Sequence, residues 1–198
     1  MRILFLANND GGLYKFRKEL IKKLSSEHKV FFCLPKGEYI KDLIDLGGTY
    51  IPCKLECHGV NPLKEAKYRK ILKMYYPDIV FTYTIKPNIY GGLVCAEKNI
   101  PYVANITGLG TAVENKRVLQ KIVLFLYKCS LRKASKVFFQ NTDNRNFMLK
   151  RKIVCDNYDL LPGSGVNLEQ YHSLDYPKKD IIHFVFVARI IKEKGIDQ

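Results

Sequence analysis

The chain has 198 residues, 47% of them hydrophobic and 26% charged, so it is long enough to bury one α/β core of ordinary globular composition. No apolar run approaches the ~20 residues that cross a bilayer, and the apolar stretch at the N-terminus is too short for a secretory leader. These features argue against a spanning or secreted protein and predict a cytoplasmic location. A net charge of +14 favours an anionic partner, a class that includes nucleic acid, anionic lipid and phosphorylated ligands.

The cysteines do not form the pattern of a disulfide framework or a metal site. All six are scattered along the chain, mostly within predicted strands and helices. The one cluster, from Cys53 to His58, lacks a second pair of ligands at a usable spacing. We therefore predict no metal and expect buried or unreactive thiols.

Short apolar runs alternate with amphipathic stretches along most of the chain. The runs predict strands at 2–8, 29–34, 49–53, 78–84, 101–107 and 136–140, and the stretches predict helices over 14–26, 37–46, 61–76, 88–98, 115–133 and 142–150. Continuous apolar strands between helices are typical of a parallel sheet covered on both faces. With right-handed crossovers, the prediction is a doubly wound, Rossmann-like α/β domain.

The C-terminal segment reads as the start of a second domain. Residues 173–180 are polar and turn-prone, and the apolar pattern restarts after them. This predicts one domain over 1–177, followed over 178–198 by a linker and the first strand and loop of a further domain. Such a strand, left without a neighbouring strand, would be an exposed edge that can pair two copies into a homodimer.

Several loops at the predicted C-terminal strand ends carry candidate ligand contacts, since ligands of open parallel sheets bind there. Gly11 and Gly12 follow the first strand and precede a helix, an arrangement that suits an anion. Lys86 follows the fourth strand, where a lysine can meet a phosphate or a sugar. The glycines of the loop 105–111 permit an unusual backbone path beside a ligand. Ordinary turn chemistry and a solvated charge explain these features equally well.

Two further basic segments point to anionic partners. Arg189 and Lys194 lie in the loop after the last predicted strand, where two cations beside a helix N-terminus suit a diphosphate. In the helix 115–133, four basic residues fall within ~60° of one another on a nearly apolar helix, as in helices that lie on anionic membranes. These four are Arg117, Lys121, Lys128 and Arg132. A solvated turn and a helix packed on the sheet with a wet basic edge are the alternatives.

Taken in order, these segments resemble a known family. "DGGLYKFRKEL", "DIVFTYTIKPNIYG", "IPYVANITGLGT" and "LLPGSGVNLEQY", followed by "VFVARIIKEKGID", are similar to the bacterial glycosyltransferases of family four. The likeness is greatest to enzymes of capsule, O-antigen and lipid-linked oligosaccharide assembly. It implies the GT-B fold, in which two Rossmann-like domains face each other across a cleft. This chain would be the acceptor half, and inactive alone, because the paired-glutamate motif of the donor half is missing from it.

The resemblance also implies substrates and contacts. The donor would be a nucleotide-sugar, and the acceptor would be a glycan or a polyprenyl-diphosphate-linked sugar at the inner face of the cytoplasmic membrane. Transfer would retain configuration, with no cofactor and no obligatory metal. The implied donor-phosphate contacts are Gly11, Gly12, Arg189 and Lys194, and the implied acceptor-side residues are Tyr14, Lys15, Tyr83, Lys86, Asn88, Thr107, Gly108 and Gly110.

No catalytic base is named. Many relatives carry histidines where this chain has Phe81 and Tyr83, and neither side chain is a good base at neutral pH. Two other functions stay open. Charge and 13 tyrosines suit nucleic-acid binding, although no motif that reads RNA or DNA is present. The second open function is that of a non-catalytic, membrane-associated protein that pairs with a separate donor-domain chain.

Overall fold

The structure is a computed structural model that describes residues 1–53, 63–110, 117–176, 181–188, 190 and 195, without the side chains of 63–65 and 117. The chain divides into two compact units, Met1–Gly165 and Val166–Gln198. The first unit contains every strand and helix of the described residues. No helix in the described ranges has the length and apolar character needed to cross a membrane.

The first unit is built on one sheet whose seven described strands all run parallel, in the order β3-β2-β1-β4-β5-β6-β7. The strands are β1 (Arg2–Leu6), β2 (Lys29–Leu34), β3 (Thr49–Pro52), β4 (Ile79–Tyr83), β5 (Tyr102–Ile106), β6 (Lys136–Phe139) and β7 (Tyr158–Leu160). The predicted doubly wound parallel sheet is confirmed. Its strand order reverses between β1 and β4, because the chain first builds outward to β3 and then returns to the other side of β1.

Helices connect successive strands. They are α1 (Asp10–Ser25), α2 (Ile40–Asp45), α3 (Leu63–Tyr75), α4 (Gly92–Lys98), α5 (Arg117–Leu131) and α6 (Thr142–Lys150). The helix predicted over 88–98 differs from expectation, since it opens with a π-helical turn, Pro87–Gly91, before α4 begins. Proline suits the start of that turn because it has no backbone N–H to leave unpaired.

Alternate residues of each strand bury against opposite layers of helices. Ile3 and Phe5 join the core beneath α1 and α2, whereas Leu4 and Leu6 join the core shared with α3, α4 and α5. This alternation follows from the two-residue period of a strand. Both faces of the sheet are therefore covered, and its exposed functional edge is the one formed by the strand ends.

The second unit is described only in part. Described residues 181–188 and 190 are not in a strand, and several of their side chains, including Phe184 and Val187, are exposed. A strand is defined by backbone hydrogen bonds to a neighbour, which the apolar pattern of a single segment cannot supply. The domain boundary near 178 and self-pairing through this segment stay predictions. Arg189 and Lys194 lie outside the described residues.

One glycine of the core gives a stability test. A Cβ at Gly48, just before β3, would overlap the buried ring of Phe32. We expect Gly48→Ala to lower the free energy of unfolding by about 1–3 kcal/mol, the usual effect of overpacking a core. Urea unfolding followed by circular dichroism measures it. Gly108→Ala is the control, because a Cβ there meets nothing within 4 Å, and equal losses for both variants would contradict this packing.

Candidate functional site

A cavity of about 320 Å³ opens at the C-terminal ends of β1, β4, β5 and β6, where the strand order reverses. Crevices at such reversal points are where open α/β sheets bind ligands. Its volume falls at the lower end of the range for small-molecule pockets, roughly 300–1,000 Å³. The lining residues are Ala7, Asn9, Gly12, Leu13, Phe16, Arg17, Tyr83, Thr84, Thr107, Gln140 and Ser164.

The first wall of the cavity is the N-terminus of α1. Asn9 caps this helix, and its Oδ1 accepts a hydrogen bond of 2.5 Å from the backbone N–H of Gly12. Asp10 is buried and accepts a hydrogen bond of 2.7 Å from the backbone N–H of Tyr39. A Cβ at Gly37 would overlap the Asp10 carboxylate, so glycine is what lets the loop after β2 approach α1 this closely. These contacts fix the position of α1 relative to that loop.

A second depression, the basic groove, lies beside the cavity and shares Asn9, Gly12 and Phe16 with it. It has a volume of about 580 Å³ and is also lined by Asp10, Gly11, Lys15, Lys36, Gly37, Glu38 and Tyr39. The Lys15 ammonium lies 4.9 Å from the centre of the Tyr39 ring, and interaction with Tyr39 raises the pKa of Lys15. The groove thus presents two lysines beside the N-terminus of a helix.

The second wall of the cavity is the end of β4. The Arg17 guanidinium carbon lies 5.4 Å from the centre of the Tyr83 ring, and Tyr83 is buried. Burial raises the pKa of Tyr83, and the neighbouring Arg17 lowers it in part. Tyr83 is therefore a neutral phenol at physiological pH, and Arg17 is the charged group at this wall.

Beneath the cavity, a buried polar cluster ties β4 to β5. Thr82 Oγ1 donates to Asn88 Oδ1 (2.6 Å), and Asn88 Nδ2 donates to the backbone carbonyl of Asn105 (2.9 Å). Asn105 Nδ2 in turn donates to the carbonyl of Thr82 (3.4 Å). All three residues are buried. Because a buried polar group is costly unless paired, this cluster holds the π-helical turn in one position against both strands.

The segment between β4 and that turn has an unusual backbone. Thr84 has φ +71°, in the left-handed region that β-branched residues rarely adopt. Its carbonyl accepts a hydrogen bond of 3.0 Å from the N–H of Asn88. Gly110, also left-handed with φ +70°, lies where a Cβ would come within 2.6 Å of Ile85 Cδ1. The loops after β4 and β5 therefore pack closely at the mouth of the cavity.

The structure brings together some of the residues predicted from the sequence and separates others. Gly12, Tyr83 and Thr107 line the cavity, while Gly11, Gly12 and Lys15 line the basic groove. Tyr14 stacks on Tyr39, with ring centres 5.3 Å apart, and Lys86 is half-buried just before the π-helical turn. Asn88 is 1% exposed and supports the site from beneath. Gly108 and Gly110 lie on the loop after β5.

Sequence reasoning missed several lining residues, among them Arg17, Thr84, Gln140 and Ser164. Gln140 could have been found, because it directly follows the apolar run of β6 and strand ends are where ligands bind. Arg17 lies one helical turn after Tyr14. Because α1 carries several other basic residues, the sequence does not distinguish Arg17 from them. Nothing in the sequence marks Ser164 as a neighbour of β6.

The helix α5, predicted over 115–133 with one basic side, exposes apolar as well as basic side chains. In α5, Val123 and Tyr127 are buried, whereas Val118, Ile122 and Phe125 are exposed. These three fall within ~60° at 100° per residue and form an exposed apolar stripe. The basic residues Lys121, Lys128 and Arg132 are exposed along one side of it. Arg117 begins the helix, and its side chain is not described.

The cavity offers hydroxyls, amides and one guanidinium. Among the described residues that line it, none is a carboxylate or an imidazole. No three His, Cys, Asp or Glu side chains of the described residues group closely enough to hold a metal ion. Cys33, Cys53 and Cys95 are buried free thiols, while Cys129 and Cys155 are exposed. The arrangement can orient a polyhydroxylated ligand through hydrogen bonds.

A parallel, doubly wound sheet with a ligand cavity at its reversal point defines a Rossmann-like ligand-binding domain. The family described as Glycosyl transferase 4-like matches residues 2–141, well over half of the chain. The chain belongs to this family. The resemblance seen in its sequence motifs is confirmed.

Known relatives agree with this assignment. The chain is 30% identical, over 226 aligned positions, to an N,N'-diacetylbacillosaminyl-diphospho-undecaprenol alpha-1,3-N-acetylgalactosaminyltransferase of Campylobacter jejuni. The alignment covers 100% of this chain and 58% of that enzyme, so the chain spans little more than half of this relative's length.

Solved structures show the same fold. HepE of Anabaena, in complex with UDP-glucose, superposes with a TM-score of 0.66 at 16% identity, over 86% of this chain and 46% of HepE. A glycosyltransferase of Rickettsia africae gives a TM-score of 0.62 at 19% identity, over 85% of this chain and 44% of that protein. The chain therefore has the fold of one Rossmann-like half of a GT-B protein.

The buried polar cluster gives a second stability test. Thr82→Val keeps the shape of the side chain but removes the donor to Asn88, and we expect a loss of about 1–3 kcal/mol of unfolding free energy. Asn88→Leu removes the other partner. In a double-mutant cycle the two losses should fall short of additivity by at least about 0.5 kcal/mol, because the residues share one hydrogen bond. Additive losses in urea unfolding would contradict the coupling.

Proposed function

We propose that this chain is the acceptor-binding half of a glycosyltransferase that moves a sugar from a nucleotide-sugar to a lipid-linked glycan in cell-surface polysaccharide synthesis. The observation that carries the proposal is the cavity at the reversal point of the sheet, whose polar lining consists of hydroxyls, amides and one guanidinium, in a chain of the Glycosyl transferase 4-like family. The Campylobacter relative, whose name specifies a diphospho-undecaprenol acceptor, supports the lipid-linked substrate.

The distribution of charge supports the binding of different ligands in the cavity and in the basic groove. Most polar groups that line the cavity are uncharged hydroxyls and amides, and the one guanidinium, of Arg17, lies over the Tyr83 ring. The cavity therefore suits the neutral sugar of the acceptor.

The basic groove places Lys15 and Lys36 beside Gly11 and Gly12. Of the two carboxylates in the groove, Asp10 binds the backbone of Tyr39, which leaves Glu38 opposite the two lysines. The lysines and the helix N-terminus therefore still suit phosphate groups, as the predicted donor-phosphate role of Gly11 and Gly12 requires.

The chemistry we propose retains the anomeric configuration and needs neither cofactor nor metal. The leaving diphosphate is stabilised by basic side chains and helix N-termini, and Arg189 and Lys194 remain our candidates from the other domain. We propose that the 198 residues alone bind ligands without turnover, since the chain covers 46% of HepE and 58% of the Campylobacter enzyme. Nuclear magnetic resonance of the product anomer, in a reaction to which the donor domain is supplied, with and without chelator, tests the stereochemistry and the metal independence.

We further propose that α5 rests on the inner face of the cytoplasmic membrane, where a polyprenyl-linked acceptor would be found. Its exposed apolar stripe of Val118, Ile122 and Phe125 is flanked by Lys121, Lys128 and Arg132. An apolar stripe with a basic flank suits the surface of an anionic bilayer, whereas pairing with a second copy would bring like charges together. The charge of +14 favours the same partner.

Ligand titration tests the acceptor site. We expect farnesyl-diphosphate-linked N-acetylglucosamine, a short analogue of the acceptor, to shift the backbone amide resonances of Thr84, Thr107 and Gln140 in the ¹⁵N-labelled chain, because these residues line the cavity. Farnesyl diphosphate without the sugar is the control and should leave them unchanged. Shifts confined to residues outside the cavity and the basic groove, or no shifts, would contradict the proposal.

Vesicle sedimentation tests the membrane surface. We expect Lys128→Glu to weaken binding to phosphatidylglycerol vesicles by roughly thirtyfold, since each basic residue near an anionic surface contributes about 1 kcal/mol and reversing its charge changes the attraction by about twice that amount. Ile122→Ser should weaken binding as well, by removing an apolar contact with the bilayer.

Matched controls lie on α2. Lys41 is exposed, and Ile44 is 45% exposed, the same fraction as Ile122. Lys41→Glu and Ile44→Ser change charge and hydrophobicity equally but away from α5. If the control variants lose as much binding as the α5 variants, attraction is a property of the whole basic surface and the α5 proposal is wrong.

A further inference from the structure

Thr84 carries two unfavourable features at once. Its backbone is left-handed, with φ +71°, a conformation in which the Cβ of an L-residue crowds the backbone. Its hydroxyl, Oγ1, is shielded from solvent and has no hydrogen-bond partner, although buried hydroxyls are normally paired. Left-handed Tyr76, Asn99 and Lys152 have no such buried unpaired atom. Thr84 also lines the cavity at the reversal point of the sheet.

The surrounding structure holds Thr84 in this state. The Asn88 N–H binds the Thr84 carbonyl at 3.0 Å, and the Asn88 side chain is itself fixed by Thr82 and Asn105. On the other side, Ile85 packs against Gly110, where a Cβ would come within 2.6 Å of Ile85 Cδ1. Strained residues persist only where their neighbours enforce the conformation, and they concentrate at ligand sites. The strain is therefore imposed by the elements that build the cavity.

We infer that the Thr84 hydroxyl is an acceptor-binding group that turns toward the cavity, by rotation about χ1, and forms a hydrogen bond with a hydroxyl of the acceptor sugar. This inference rests on the proposed function and names one contact within it. A threonine hydroxyl both donates and accepts, as a sugar hydroxyl does, so either can supply the proton. The groups nearby on the cavity wall, Thr107 and Gln140, are likewise uncharged and polar. These two groups suit the hydroxyls of a neutral sugar, and the Arg17 guanidinium of the same cavity lies over the Tyr83 ring.

Substitutions at Thr84 separate its hydroxyl from its backbone strain. Thr84→Val keeps the β-branched shape and removes the hydroxyl, Thr84→Ser keeps the hydroxyl, and Thr84→Gly removes both the hydroxyl and the steric cause of the strain. The probe is farnesyl-diphosphate-linked N-acetylglucosamine, titrated into the ¹⁵N-labelled 198-residue chain. Thr49→Val, at an exposed threonine of β3, is the control for the loss of a hydroxyl elsewhere. The melting temperature of each variant is measured without ligand.

We expect Thr84→Val and Thr84→Gly to weaken probe binding about five- to tenfold, the usual effect of one neutral hydrogen bond. Thr84→Ser should stay within about twofold of the wild type, and Thr49→Val should bind like it. Neither Thr84→Val nor Thr84→Gly should lower the melting temperature, and glycine should raise it by relieving strain. A gain in stability with a loss of binding is typical of a ligand-binding residue, whereas a structural residue loses stability.

The outcomes distinguish this inference from the proposed function. If the wild type binds the probe and Thr84→Val binds it equally well, the inference about Thr84 is wrong while the proposed function stands. If Thr84→Val and Thr84→Ser both lower the melting temperature and weaken binding in parallel, Thr84 has a structural role only. If the wild type does not bind the probe, the proposed acceptor site fails and the inference fails with it.

Discussion

The hydrogen bonds of the Asn88 side chain are the interaction on which the site depends. One amide group bridges Thr82 on β4 and the backbone of Asn105 on β5, at the point where both strands end. Its backbone N–H also holds the carbonyl of Thr84. This bridge and the packing of Ile89 and Tyr90 in the core together fix the π-helical turn, which follows the cavity wall formed by Tyr83 and Thr84.

The other wall of the cavity is fixed independently of the cluster of Thr82, Asn88 and Asn105. The N-terminus of α1 is held by the Asn9 cap and by the buried carboxylate of Asp10, which binds the backbone of Tyr39. The cavity thus lies between two elements whose positions are set by separate buried polar contacts. Preorganised polar groups of this kind orient a ligand without a cost of rearrangement when it binds.

The charge differs between the cavity, the basic groove and the exposed side of α5. The cavity is lined mostly by uncharged groups, the basic groove carries Lys15 and Lys36, and α5 presents a basic flank beside an apolar stripe. Under the proposed function, an acceptor sugar in the cavity, a donor phosphate in the basic groove and an anionic membrane at α5 would each meet a complementary surface. Part of the high net charge of the chain lies on these particular surfaces.

The sequence by itself determined the α/β class, the parallel sheet, most element positions and the family, because periodicity and motif order are local properties of the chain. It also placed Gly12, Tyr83 and Thr107 at strand ends. Only the tertiary structure showed that Asn88 turns inward, that Arg17 and Ser164 reach the cavity, and which face of α5 is exposed. The left-handed backbone of Thr84 also escaped prediction, because threonine does not favour that conformation. Contacts between segments distant in sequence impose this conformation, and such contacts cannot be read from a local sequence pattern.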